Sequence, residues 1–225
     1  MRHEDGYATA SVLGLIAVLS LLSFSLMNLS LTELDRSRQA EALVKTRLAL
    51  QGTLYQHVQA DLERPDSFRL GTTSSTWDGI SLEVRRSDDQ KRFNLLRDTL
   101  SENKSGSARS LSPEVEALVN EAQRSDRDPS NWQLAYLKKP ARLSDESWAC
   151  IIDEVSFYRS TFNPIATERP QSLDGALVRY DVFTAEDQSP TLYLRAVILF
   201  TGAPERPIEI MDWSFPEHGP PTSCP

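Results

Sequence analysis

The first long stretch of the chain carries no charge at all: from Tyr7 to Thr32 there is no Asp, Glu, Lys or Arg, and Val12 to Leu31 is mostly Leu, Ile, Val, Ala, Phe and Met. At about 1.5 Å per residue a helix of this run spans about 39 Å, more than the roughly 30 Å hydrocarbon core of a bilayer. A secretory signal has a shorter apolar region, and a buried core helix is seldom this long. The run therefore predicts a transmembrane helix. Ser20, Ser23, Ser25, Asn28, Ser30 and Thr32 make its second half more polar than a lipid contact requires. Small polar side chains let membrane helices approach closely, or bond back to their own backbone.

Beyond the run the pattern becomes amphipathic. Residues 33–63 contain no Pro, and Leu43, Leu50, Leu54, Val58 and Leu62 fall at seven- and four-residue steps. That spacing puts them in one stripe of a helix which Pro65 ends. The two halves together predict one helix of about 55 residues, with Gly52 as a place for a bend. A polar turn region, Arg69 to Gly79, then leads to Ile80–Arg86, whose apolar and polar residues alternate as in a half-buried strand. Phe93 to Leu96 reads as a short strand.

Ser101 to Ser110 is almost devoid of apolar residues and predicts a loop. Pro113 opens a helix to about Gln123, and Ser125 to Asn131 supplies turn chemistry. Ser144 is placed to cap a helix over about 145–156, with Trp148, Ile151, Ile152 and Val155 on one face. Residues 157–173 read as a surface connection. Leu177–Thr184, Thr191–Thr201 and Pro207–Phe215 then form an antiparallel meander with a turn at Ala185–Pro190, and an irregular Pro-rich tail follows Pro216. The fold class is α+β: a long N-terminal helix packed on an antiparallel sheet, with a small helical insertion at about 100–158.

Composition narrows the function. The 225 residues leave room for one soluble domain of about 64–225 plus an anchor. A formal charge of −8 and a pI near 5.0 argue against a nucleic-acid partner, because no basic stretch is dense enough to neutralise a row of phosphates. Cys150 and Cys224 are too few for a disulfide scaffold, but one bridge between them would tie down the tail. His3, His57 and His218 lack the close spacing of a zinc site. Asp88 and Asp89 are hard oxygen ligands that calcium could use, although ordinary turn chemistry is the better account of them. No nucleophile elbow, phosphate loop or dinucleotide fingerprint is present, so an enzyme is not expected. Trp77, Trp132, Trp148 and Trp213 read as packing residues.

Several features resemble one family. A helix half membrane and half amphipathic that feeds an antiparallel sheet is the layout of type IV pilin-like proteins. The short leader 1–6, ending in Gly6 ahead of the apolar run 7–32, resembles a prepilin peptidase site with cleavage between Gly6 and Tyr7. Counting from Tyr7, the fifth residue is Ser11, where most pilins carry Glu; lacking that Glu is characteristic of the K-type minor pseudopilin of type II secretion. The segment Ser-Asp-Asp-Gln-Lys-Arg-Phe-Asn-Leu-Leu from Ser87 is similar to a K-family turn, and Tyr193 to Trp213 resembles its last strands.

The resemblance implies a non-enzymatic protein at the tip of a pseudopilus. It would assemble there with I- and J-type minor pseudopilins and the secretion machinery, without a cofactor. Its location would be the bacterial inner membrane, single-pass, with the soluble domain in the periplasm. Basic residues argue for the opposite orientation, since Arg36, Arg38, Lys45 and Arg47 follow the span while only Arg2 precedes it. Long domains translocate largely regardless of such charges. Two other readings fit the same pattern: a minor pilin of a type IV pilus, and a single-pass anchored periplasmic binding module.

Overall fold

The computed structural model describes residues 4–94, 113, 116–117, 144–158, 165, 170, 172–185 and 192–216; within the first helix, side chains are described from Leu19 onward. Helix α1 runs Glu4–Glu63, and the chain divides into two compact units, Met1–Lys45 and Thr46–Pro225. A 3-10 turn at Pro65–Ser67 follows α1, as the Pro requires. The predicted loop at Ser101–Ser110, the tail after Pro216 and most of the surface connection lie outside the described residues. So does the second predicted helix, except that Pro113, Glu116 and Ala117 are helical.

In the second unit the strands are β1 (Gly71–Trp77), β2 (Ile80–Asp88), β3 (Phe93–Asn94), β4 (Val155–Ser156), β5 (Leu177–Thr184), β6 (Tyr193–Ala203) and β7 (Arg206–Ser214), with helix α2 (Asp145–Glu154) before β4. Five of them form one antiparallel sheet in the order β1-β2-β5-β6-β7, and β3 pairs with β4 in parallel. The predicted turn region before Ile80 is thus a strand. Asp78 and Gly79 both take positive φ, 47° and 78°, and make the two-residue hairpin turn that joins β1 to β2.

One sheet face carries the apolar core. Ala49, Leu50, Leu54 and Val58 of α1 pack on Leu82 and Val84 of β2, Val178, Tyr180 and Val182 of β5, and Leu194, Ala196 and Ile198 of β6. The predicted stripe is buried from Leu50 onward, with Leu62 partly buried, whereas Leu43 is exposed. Phe157, Ile165 and Leu173, from the segment expected at the surface, are buried as well.

Gly52 serves as a contact. A Cβ built there would lie 2.6 Å from Cη2 and Cζ2 of Trp77, so the indole at the end of β1 rests directly on the helix backbone. Gly52→Ala gains about 1 kcal/mol of helix propensity but forces the ring away. Overpacking of this kind costs about 1–3 kcal/mol, so a net loss is expected in urea unfolding, reversed by adding Trp77→Leu. A stabilised Gly52→Ala would show the contact to be soft.

Candidate functional site

The first unit presents an uncovered helix surface. Leu19, Leu21, Leu22, Phe24, Leu26, Met27, Leu29 and Leu31 are all exposed, Leu21 by 67% and Phe24 by 64%. At 100° per residue these positions point around the whole circumference of α1. An apolar surface on every side of a helix is the mark of one that lipid or other helices surround. Among the residues whose side chains are described, no helix is long and apolar enough to cross a membrane. That described part starts at Leu19 and so contains only the second half of the uncharged run.

Gly6, Tyr7 and Ser11 lie within α1, and their side chains are outside the described residues. Cys150 is buried in α2 and disulfide-bonded, while Cys224 is outside the described residues, as are His3, His218 and Trp132. Asp88 accepts from the main-chain N–H of Gln90 at 3.0 Å and of Ile165 at 2.8 Å. Burial raises its pKa even so. Asp89 accepts from the Ser156 hydroxyl and lies 2.7 Å from Arg179 Nη2. Both carboxylates thus hold their part of the fold, and among the described residues no group of three His, Cys, Asp or Glu side chains could hold a metal ion.

The second sheet face, under α2 and β4, is a buried layer of charge. Strand alternation puts Arg85, Arg179, Asp181, Arg195 and Asp212 on this side, opposite the core residues between them. Asp181 is at its centre: Arg195 Nε is 3.1 Å from Oδ1, Arg85 Nη2 is 2.9 Å from Oδ2, and the Tyr193 hydroxyl donates to Oδ1. Asp153 of α2 bridges Arg85 at 2.8 Å and Arg92 at 3.3 Å. Arg179, fully buried, also donates to the carbonyls of Val155 at 2.8 Å and Ile152 at 3.3 Å, near the end of α2.

Burial alone would raise the Asp181 pKa, but Arg195, Arg85 and Arg179 override it and hold the carboxyl well below the usual carboxylate range. Burial, then Arg179, lowers Arg92 to about 10. Burial also pushes Tyr158 and Asp212 up. Oδ2 of Asp212 and the Tyr158 hydroxyl are buried and have no hydrogen-bond partner among the described residues. Among the described residues the layer pairs its arginines with its own carboxylates.

A smaller polar group interrupts the apolar face. Asp61 of α1 accepts from Arg86 Nε at 2.8 Å and from the Tyr180 hydroxyl at 2.7 Å, and Arg86 Nη2 donates to His57 Nδ1 at 2.7 Å. Because Arg can only donate, Nδ1 accepts and the imidazole is neutral, with its proton on Nε2. Burial, then Arg86, lowers the His57 pKa, against a weaker pull from Asp61. The unfolded chain therefore takes up this proton first. The stabilising contribution is complete above about pH 6.5 and is lost as pH falls through the folded pKa. The urea midpoint should fall from pH 7 to pH 5, and less steeply in His57→Gln, which keeps an acceptor. Asp88 and Asp212, with raised pKa values, act in the opposite sense but are common to both proteins. Equal slopes would clear His57 of the effect.

Sequence reading put Cys150 on its helix and Asp88 and Asp89 in a turn, whereas Asp88 ends β2 and Asp89 opens a 3-10 turn, and it did not single out Asp61, Arg86, Asp181 or Arg195. Asp61 sits one residue before Leu62 and three after Val58 in the apolar stripe, which is the signal that could have exposed it. Compared with known proteins, the chain matches no family model, no curated protein and no solved structure.

Proposed function

We propose that this chain is a membrane-anchored assembly subunit of the pilin-like type, and specifically a minor pseudopilin at the tip of a type II secretion pseudopilus. The observation that carries the reading is the change of character along α1. From Leu19 to Leu31 its apolar side chains are exposed on all sides, and from Leu50 to Val58 the same helix buries one stripe on an antiparallel sheet. The first part needs lipid or neighbouring helices, and the second is satisfied within its own unit. The disulfide at Cys150 suits an oxidising compartment such as the periplasm.

In this reading Tyr7 becomes the first residue after cleavage behind Gly6, and I- and J-type minor pseudopilins pack on the apolar helix. A carboxylate at the fifth mature position would pair with the free amine of the preceding subunit, since an unpaired one is costly in hydrocarbon. A subunit with none ahead of it can carry Ser11 there. A minor pilin of a type IV pilus shares all of this except the partners.

Mass spectrometry of the full chain, expressed with and without a prepilin peptidase, tests the proposal. A terminus at Tyr7 that depends on the peptidase is the expected result. An intact Met1 in both samples would overturn it in favour of a plain anchored periplasmic module.

A further inference from the structure

We propose that β1 is a pairing edge at which two copies of this chain join their sheets through an antiparallel β1–β1 contact centred on Ser74. Among the described residues the sheet ends in β1 on one side and β7 on the other, and the two edges are built differently. Strand β7 carries Arg206, Pro207, Glu209 and Asp212, and its register with β6 shifts twice. Charges, proline and bulges on an edge are the usual means of preventing strand addition. Strand β1, Gly-Thr-Thr-Ser-Ser-Thr-Trp, has none of them. Its seven residues pair with β2 in unbroken register, and Gly71 to Ser74 and Thr76 are exposed.

The hydrogen-bond parity of the hairpin decides which groups face outward. In a two-residue turn the flanking residues Trp77 and Ile80 bond to each other, so Thr73 and Ser75 also bond to β2 while Thr72, Ser74 and Thr76 aim away. The Ser81 carbonyl accepts from Ala185 N on the far side of β2, which fixes the same parity. A second copy related by a two-fold axis through Ser74 would set Thr72 opposite Thr76 and Ser74 opposite Ser74, with about six main-chain hydrogen bonds.

A second copy is the occupant because the strand complements itself. It carries no charge to repel its like, Thr opposite Thr is a favourable cross-strand pair, and the patch is isologous as a two-fold contact requires. Just beyond the strand, the same register brings Asp78 of one copy to the end where the other has Arg69. The two ends thus attract. The inference does not depend on prepilin processing or on the pseudopilus reading.

The test is disulfide cross-linking of the full chain in detergent micelles, oxidised with copper phenanthroline. Ser74→Cys should give a covalent dimer, roughly tenfold or more above a collision control, Glu205→Cys, on the β6–β7 turn. Thr72→Cys and Thr76→Cys should cross-link to each other when mixed, and neither to itself. Thermal melting shows that each variant is folded. Equal cross-linking of Glu205→Cys, or self-linked Thr72→Cys, would place the contact elsewhere and overturn the proposal. So would a folded Ser74→Cys that stays monomeric, or that links only to a different protein in membranes.

Discussion

Asp181→Ala is expected to destabilise the soluble unit by about 3–5 kcal/mol, the cost of leaving a buried charge without its partner. The size follows from what remains. Arg195, buried with its guanidinium over the Tyr193 ring, loses the carboxylate 3.1 Å from its Nε. Arg85 loses one of two carboxylates, and the Tyr193 hydroxyl loses its acceptor. Folded domains are stable by only about 5–15 kcal/mol in all, so this one substitution should remove much of the urea midpoint followed by Trp fluorescence. Arg85→Ala should cost less, because Arg85 is 22% exposed and Asp181 keeps Arg195. An Asp181→Ala midpoint close to that of the parent protein would mean that water fills the layer.

Acid gives a second view of the same group. The folded pKa of Asp181 lies below the unfolded value, so its contribution is complete above about pH 4 and is lost at lower pH. That window is separate from the one set by His57.

On the membrane-anchored reading proposed above, Leu19→Lys combined with Leu22→Lys should release the full chain from the membrane. Each lysine at the centre of a spanning helix costs about 2.5–3.5 kcal/mol, and the two positions lie near the middle of the run from Tyr7 to Leu31. Both leucines are more than half exposed, so their replacement disturbs no packing in the first unit. The measurement is the fraction left in carbonate-washed membranes, expected to drop from nearly all to little. If that fraction does not move, other proteins and not lipid surround this surface. Leu48→Lys, outside the run, serves as the comparison.

How much of this the sequence disclosed depended on whether a residue's neighbours in space were also its neighbours in pattern. Leu50, Leu54 and Val58 announced the helix stripe because their spacing and their burial have the same cause. β5 and β6 were legible as strands for the same reason. β1 was read as a turn region because an edge strand with polar residues on both faces has no alternation to display; its real signal was the Asp78–Gly79 pair, a hairpin turn of the preferred kind. The charge layer was hidden in plain view. Arg179 and Asp181 alternate with Val178, Tyr180 and Val182, which reads as a strand with one wet face. Only the fold reveals that α2 covers that face and brings Asp153 and its own carbonyls to meet the arginines.

The same layer acts as a key for strand registration. Sliding β5 past β6 by two residues would keep every apolar side chain facing α1, so the hydrophobic core hardly discriminates between the two alignments. In the native alignment Asp181 faces Arg195. One slip would set Arg179 against Arg195, and the other would put Asp181 opposite Val197. Either leaves buried charges opposed or alone, so a chain assembled out of step is rejected by electrostatics where oil and water would have let it pass.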